Sequence, residues 1–388
     1  MMPQGSIHKR ELDGGKVRWD AYYALTDLMT GKTRQHKRTF RTQREAKAFL
    51  AEQHSAIAQG LAVESSTRTM GELMQFWLDN YARHRVSAKT LDGYAATIRL
   101  HVLPALGGVR VQQLTPARLQ AFYSQKVDGG CGPLTVELCH SHISQALDEA
   151  VNLGWVARNV ADRVTPPRWK PREMDTWSAD EARRFLDVAP ESGYGPIWPL
   201  ALATGLRKGE LLGLRWQDVA VERGVVSVRQ TVGTLRGTLE IKRPKTVKSR
   251  REVNVPRDVL DLLLEHRAHQ VERRQELQAK GLGAIWQDHD LVFPSATGGP
   301  IHPDNLDRDF ARLVKQAGVK RIRIHDLRHS YATLAIALGN PLKVVSESMG
   351  HADVSTTLRT YAHVVPAQRT DLANSVGAAL FSRPVDTR

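Results

Sequence analysis

The chain has little cysteine and no long apolar run. Its two cysteines are Cys131 and Cys139, and no CxxC pair is present, so neither a disulfide framework nor a zinc site is expected. No apolar stretch reaches the roughly 18 residues of a membrane span, and MMPQGSIHKR lacks the features of a secretory leader. These absences predict a reduced, cytoplasmic protein that does not enter a membrane.

Acidic residues are also few in relation to basic ones. The 388 residues include 55 Lys and Arg against 41 Asp and Glu, which gives a formal charge of +14 and a pI of about 9.9. This excess predicts a polyanionic partner, with nucleic acid as the leading candidate. The length of the chain predicts two or three domains, because single cores rarely grow past about 250 residues.

The first predicted domain, residues 1–62, is a small basic sheet braced by one helix. Alternating apolar residues predict a strand over 17–25 and a second over 33–40. A capping box at Thr42 and Glu45 then begins a helix. Side chains expected to contact DNA here are Lys32, Arg34, Lys37 and Arg38. Insertion of the sheet into a DNA groove fits this pattern, although a dimerisation module would look much the same.

The second predicted domain, residues 69–167, is all helical. It opens with a capping box at Thr69 and Glu72, and helices are predicted roughly over 70–83, 90–102, 116–126 and 134–153. Thr115 is predicted to cap the third of these helices, and Pro116 to occupy its first helical position. A proline-rich connector follows. Its basic side chains, expected to lie along a DNA backbone, are Arg168, Lys170 and Arg172.

The third predicted domain, residues 172–388, is mainly α with a few short strands. Its first helix is capped by Ser178 with Glu181, and alternation predicts antiparallel strands over 225–232, 238–243 and 251–255. The predicted fold class is therefore multidomain: a small β-sheet with one helix, an all-α domain, and a mainly α (α+β) domain.

The third domain also contains side chains suited to a phosphodiester. Planar guanidiniums match two phosphate oxygens, and a phenol can form a covalent phosphotyrosine without ATP or a metal. The candidates for the phosphate site are Arg207, Arg328, His325 and His351. Tyr361 is the candidate nucleophile. Arg207 is predicted on a helix-like segment beside Glu210, and His325 and Arg328 on one helix face.

The leaving 5′-oxygen needs a proton, and Lys245 is the candidate donor. Lys242 and Lys248 are close rivals, and the alternative is that all three, with Arg243, only contact DNA. A zinc site at His325, His329 and His351 is disfavoured because the glutamate of HExxH is missing. No metal and no cofactor are expected.

Four segments resemble the tyrosine recombinases of the phage-integrase type: TGLRKGELLGLRWQDV, PKTVKSRREVNVP, HDLRHSYATLAI and MGHADVSTTLRTYAH. The resemblance implies that Arg207 and Arg328 hold the scissile phosphate and that Tyr361 attacks it to leave a 3′-phosphotyrosine. It further implies that Lys245 protonates the 5′-oxygen and that His325 serves proton transfer at the tyrosine. His351 would donate to the phosphate, and Glu210 would support the site.

The same resemblance extends to the other two domains. Residues 69–167 are similar to the family's core-binding domain, and residues 1–62 to its three-stranded arm-binding domain. The implied function is an integrase that inserts or excises a mobile element at double-stranded attachment sites. Four protomers would act together on DNA in the nucleoid, with an excision or host bending factor as a possible partner. The apolar run 376–381 is expected to dock on a neighbour or on its own domain.

Two other functions stay open on the residues alone. A type IB topoisomerase-like enzyme would use the same phosphotyrosine chemistry to relax one duplex. A DNA-binding regulator could use the same fold without catalysis. Two additional DNA-binding domains disfavour the first, and the presence of every candidate catalytic group disfavours the second.

Overall fold

The computed structural model describes residues 5–12, 16–26, 33–58, 66–169, 174–242 and 250–350, with the single residues Ser355, Leu358, Tyr361 and Leu380. The chain divides into two compact units, Met1–Pro171 and Arg172–Arg388. Seven predicted site residues lie outside the described ones: Lys32, Lys170, Arg172, Arg243, Lys245, Lys248 and His351. Within the described ranges, no helix is both long and apolar enough to cross a membrane.

The first unit begins with an antiparallel sheet in the order β1 (Ser6–Leu12), β2 (Lys16–Thr26) and β3 (Thr33–Phe40). Helix α1 (Gln43–Ala58) packs on one face of it, and Ala21, Ala46 and Leu50 are buried between them. Alternation predicted the second and third strands. It missed β1 because nearly every residue of that strand is exposed, so no apolar period marks it.

The capping box predicted before α1 is confirmed. The Glu45 carboxylate accepts from the Thr42 backbone N–H at 3.1 Å, and the Thr42 hydroxyl accepts from the Glu45 N–H at 3.2 Å. These two bonds satisfy backbone donors that the first turn of a helix leaves without partners.

The rest of the first unit is helical. Its helices are α2 (Met70–Trp77), α3 (Arg83–Arg85), α4 (Ala88–Thr97), α5 (Leu103–Leu106), α6 (Pro116–Asp128) and α7 (Pro133–Asn152). Wider π-helical turns at Leu78–Ala82 and Ile98–Val102 continue α2 and α4. The predicted caps at Thr69 and Thr115 are confirmed. The core is apolar, with Trp77, Tyr123 and Ile143 buried at its centre.

The second unit is mainly helical. Its helices are α8 (Ala179–Val188), α9 (Ile197–Thr204), α10 (Lys208–Leu212), α11 (Arg257–Ala279), α12 (Pro303–Ala317), α13 (Ile324–Ala337) and α14 (Leu342–Met349). The cap predicted at Ser178 is confirmed. An aromatic cluster of Trp177, Phe185, Trp198 and Phe310 fills the core on which α9 and α12 pack.

Short strands lie between α10 and α11. They are β4 (Val219–Ala220), β5 (Val225–Ser227), β6 (Thr231–Leu235), β7 (Thr238–Lys242) and β8 (Glu252–Asn254). The single strand predicted over 225–232 is wrong, because β5 lies between β4 and β8 whereas β6 pairs with β7 alone. Alternation reports which side chains are buried. It does not report which strand the backbone bonds to.

Candidate active site

Arg207 lies at the sharp turn between α9 and α10. Gly205 ends α9 in the left-handed conformation (φ 62°), and a Cβ there would come within 2.5 Å of the Tyr331 ring. Arg207 is extended (φ −71°, ψ 149°) and directly precedes α10. The prediction of a helical Arg207 is therefore wrong by one residue. Its side chain bonds back to Glu210 in the first turn of α10, and 36% of that side chain is exposed.

Glu210 is the buried acid beneath this turn. Its carboxylate accepts from the Arg207 backbone N–H at 2.9 Å and from Arg207 Nη1 at 2.8 Å. Arg251 completes the pairing with two parallel bonds, from Nη1 to Oε1 at 3.1 Å and from Nη2 to Oε2 at 3.0 Å. Burial by itself raises the pKa of Glu210. The bonds and charges of the two arginines outweigh it, and the pKa lies below its ordinary value.

Sequence reasoning missed Arg251, which lies within PKTVKSRREVNVP but was not marked as functional. Its side chain is only 8% exposed. A buried arginine with a fork-to-fork carboxylate partner is held in one geometry by its two parallel bonds. Nothing in the one-dimensional pattern distinguishes it from Arg250, because burial depends on the fold.

The last carbonyls of α14 each accept a bond from a different arginine. Arg251 Nε donates to Ser348 O at 2.8 Å, and Arg207 Nη2 donates to Gly350 O at 3.3 Å. Arg328 Nη2 donates to the carbonyl between them, that of Met349. These carbonyls form the negative end of the helix dipole, so three cations from separate segments converge on it.

Gly350 makes this convergence possible. It ends α14 with φ 66°, and an added Cβ would lie 2.9 Å from the Arg251 side chain. The left-handed backbone and the adjacent guanidinium both favour glycine at this position.

Helix α13 supplies the next group of side chains. It contains both His325 and Arg328, as the sequence predicted, and Arg328 is 2% exposed. Arg328 Nη1 donates to Gly205 O at 2.7 Å. Burial and the Arg207 charge lower the pKa of Arg328, but a guanidinium still stays protonated at neutral pH. His325 is exposed at the surface, yet desolvation by the surrounding protein, followed by the Arg328 charge, lowers its pKa.

Tyr361 is buried against the same helix, in a cluster with Ala332, Ile336, Val345 and Met349. Its hydroxyl lies 2.6 Å from Nδ1 of His329, one turn after His325. Burial raises the pKa of Tyr361 above its ordinary value, while the nearby Arg328 charge lowers it. Among the described residues, the one that hydrogen-bonds to this hydroxyl is His329, which the sequence analysis did not assign to the reaction.

The described residues contain no group of three or more His, Cys, Asp or Glu side chains arranged to hold a metal. The rings of His325 and His329 meet edge to face, with centroids 5.0 Å apart.

The predicted DNA-contact side chains that are described occupy the surface. Arg34, Lys37, Arg38, Arg168 and Lys242 are all exposed. Arg38 lies over the Phe49 ring at 5.0 Å, on the α1 side of the sheet. Lys37 is 3.5 Å from Asp20, and Lys242 pairs with Glu240. Their roles in DNA binding stay predictions.

The structure thus brings together a buried tyrosine, a histidine, two arginines and a buried glutamate, which are the side-chain types expected in the active site of a tyrosine recombinase. Family models match the chain in two places: the phage integrase family over residues 178–368, and the phage integrase N-terminal SAM-like domain over residues 69–127.

A tyrosine recombinase XerC-like protein of Caldanaerobacter subterraneus subsp. tengcongensis is 29% identical over 352 residues, covering 87% of this chain and 90% of the relative. The Tn1549 transposon integrase in complex with a circular intermediate DNA has a similar fold. The two structures superpose with a TM-score of 0.65 at 20% identity, and the match covers 78% of this chain and 99% of that one. A lambda integrase tetramer bound to a Holliday junction gives a TM-score of 0.55 at 18% identity, with 90% and 94% covered.

The chain belongs to the phage integrase family of tyrosine recombinases. It is an enzyme that breaks and rejoins DNA, and its multidomain fold agrees with the predicted class.

Proposed function

We propose that the protein is the integrase of a mobile element, and that it inserts and excises that element through a 3′-phosphotyrosine intermediate. The observation that carries this is the position of Tyr361. Its hydroxyl contacts His329 on α13, and it lies close enough to Arg328 of the same chain for that charge to lower its pKa. Names among the similar proteins, such as the Tn1549 transposon integrase, support a mobile-element role.

In this proposal Arg207 and Arg328 hold the non-bridging oxygens of the scissile phosphate. A guanidinium has five N–H donors, so the bonds to the carbonyls of α14 leave others for a phosphate. Fixed cations around the equator stabilise the pentacovalent transition state without having to reorganise during the reaction. Glu210 and Arg251 keep the Arg207 side chain oriented.

Other roles are carried over from the family resemblance. Lys245 protonates the 5′-oxygen as it leaves, and His351 donates to the phosphate. His325 takes part in proton transfer at the tyrosine. Its ring contacts that of His329, which lies next to the nucleophile. No metal or cofactor takes part.

Tyr361→Phe tests the nucleophile. The variant loses one hydroxyl, so it should bind core-site DNA within about twofold of the wild type yet form no covalent adduct on a nicked suicide duplex. Tyr331→Phe, which removes a hydroxyl bonded to Ser348 at 3.1 Å, is the matched control and should still form the adduct. An adduct with Tyr361→Phe would refute the assignment. Relaxation of plasmids without any attachment site would favour the topoisomerase-like alternative.

Residues 1–62 and 69–167 are proposed as the arm-binding and core-binding domains, with residues 172–388 as the catalytic domain. Removing residues 1–62 should weaken binding to distal arm sites while leaving core-site cleavage intact. Gel retardation on long and short attachment DNA measures the difference. Unchanged binding to the long DNA would contradict the arm-binding role.

We also propose that four protomers act on two duplexes, as in the lambda integrase tetramer bound to a Holliday junction. The run 376–381 would then dock on a neighbouring protomer or on its own domain. An excision or host bending factor would set the direction of recombination. The site of action would be the nucleoid, within the cytoplasm.

A further inference from the structure

The contact between Tyr361 and His329 gives the hydroxyl proton of the candidate nucleophile a direct acceptor. The hydroxyl oxygen and Nδ1 are 2.6 Å apart, the ring centroids are 5.9 Å apart, and the relative exposures are 1% and 9%. Bulk water therefore has little access to this hydroxyl, and the proton needs an acceptor within the protein. A general base must lie within hydrogen-bond reach of the proton it removes, which His329 does.

We propose that His329 is a catalytic residue that accepts the Tyr361 proton as the phenol attacks the scissile phosphate. This rests on the proposed phosphotyrosine chemistry and names the base for its first step. In the neutral tautomer with its proton on Nε2, Nδ1 accepts a bond from the Tyr361 hydroxyl. As the oxygen–phosphorus bond forms, the O–H proton moves to Nδ1. The 5′-oxygen leaves with a proton from Lys245, so charge and protons balance.

The surroundings of His329 keep it in the accepting form before DNA binds. Burial lowers its pKa to about 4, and the charges of His325, Arg328 and Arg323 act in the same direction, whereas Asp326 opposes them. The imidazole is therefore neutral at pH 7. A bound phosphate places negative charge beside Arg207 and Arg328, which offsets their effect and makes His329 a better proton acceptor. Proton removal thus becomes easier when the substrate is in place.

The geometry favours His329 over His325 for this step. Both lie on α13, but it is Nδ1 of His329 that lies within hydrogen-bond distance of the Tyr361 hydroxyl, and His325 meets the His329 ring edge to face. His325 is close enough to affect His329 through its charge. A role for His325 next to the phosphate stays compatible with this arrangement.

Two DNA substrates separate the proton acceptor from the proton donor. Both are nicked duplexes that carry the core site at the element's own ends. One has an ordinary phosphodiester, and the other has a 5′-bridging phosphorothiolate, whose sulfur leaves without needing a proton. A variant that lacks the general acid should therefore cleave the sulfur substrate at close to the wild-type rate. A variant that lacks the general base should be slow on both substrates. Lys245→Ala supplies the reference for a lost acid.

Three variants of the full-length chain identify the role of His329. His329→Ala removes the imidazole, and His329→Asn keeps a polar group near the position of Nδ1 that can hold the hydroxyl but cannot take its proton. The exposed His289 provides the control His289→Asn. We expect both His329 variants to slow adduct formation by about 10²-fold or more on both substrates, the size typical of general-base loss. DNA retardation and thermal unfolding should stay close to the wild type for His329→Asn.

Several outcomes would overturn the proposal. Wild-type rates with His329→Asn would mean that the histidine only positions the hydroxyl. If His329→Asn cleaves the sulfur substrate at close to the wild-type rate, His329 helps to protonate the leaving 5′-oxygen and is not the base. A defect in His325→Asn on both substrates, with His329→Asn near wild type, would transfer the role to His325. If the wild type itself forms no adduct through Tyr361, the proposed function fails, which is distinct from these results.

Discussion

Among the described residues, each unit of the molecule buries one histidine, and the two differ in what they contact. His142 on α7 is 2% exposed, with its ring 4.3 Å from the Tyr94 ring and 5.9 Å from that of Trp77. Within the described residues, its Nδ1 has no hydrogen-bond partner. His329 on α13 is buried to a similar degree, but its Nδ1 meets the Tyr361 hydroxyl.

Burial lowers the pKa of both histidines to about 4, so both are neutral at pH 7. A perturbed pKa therefore does not by itself mark a catalytic group. The difference lies in the surroundings. The described helices of the first unit bury no Asp, Glu, Lys or Arg side chain. The second unit buries charged groups with partners, Glu210 with two arginines and Arg328 with backbone carbonyls.

The largest expected effect comes from leaving a buried charge unpaired in the second unit. Arg251→Met removes the main partner of Glu210 and should lower the free energy of unfolding by about 3–5 kcal/mol. Denaturant unfolding measures it. Adding Glu210→Gln should recover part of the loss, because the uncompensated carboxylate is then gone.

Arg257, whose pair with Asp261 is exposed, provides the control for this experiment. Arg257→Met should cost less than about 1 kcal/mol. Equal losses for the Arg251 and Arg257 variants would show that the buried arginine network is not a special feature of the catalytic unit.

A smaller effect is expected from acid, and it should appear in both units. The folded pKa of each histidine lies near 4, below the unfolded value of 6.5, so the stability they contribute is present above pH 6.5 and is lost as the pH falls to about 4. The loss should approach about 3 kcal/mol for each. Unfolding at a series of pH values measures it.

Variants of His142 and His329 show whether these two side chains cause the loss of stability at low pH. His142→Leu and His329→Asn should each flatten the fall in stability with decreasing pH, because each removes one group that the unfolded chain protonates more readily. An unchanged slope in both variants would mean that other titrating groups cause the acid sensitivity.

The smallest expected effect separates the two histidines most clearly. His142→Leu removes an unpaired buried polar atom at nearly constant volume, so stability at pH 7 should change little or rise by about 1 kcal/mol. Its rate of adduct formation should match the wild type. A marked loss of cleavage in this variant would show that the first histidine also serves the reaction.

The sequence predicted the local features of both units well. The caps at Thr42, Thr69, Thr115 and Ser178 are present, because each hydroxyl accepts from a backbone N–H only three positions further along the chain. Tyr361 and the arginines of α13 and of the turn before α10 were recognised by residue type and by resemblance. Their mutual arrangement was not predicted.

Errors arose where a feature depends on distant parts of the chain. The break between β5 and β6 is set by different strand partners, and β1 lacks any buried face that could mark it. Arg251 was overlooked because its partner Glu210 lies 41 residues away. His329 was not assigned to the reaction, because its contact with Tyr361 spans 32 residues.

The sequence by itself determined the basic charge, the helix starts and the supply of guanidinium, imidazole and phenol groups in the C-terminal half. These properties reside in single residues or in neighbours along the chain. Only the tertiary structure decided that three arginines meet at the end of α14 and that His329, one turn beyond His325, contacts the nucleophile. Such contacts are fixed by burial and packing between separate segments, which no local pattern records.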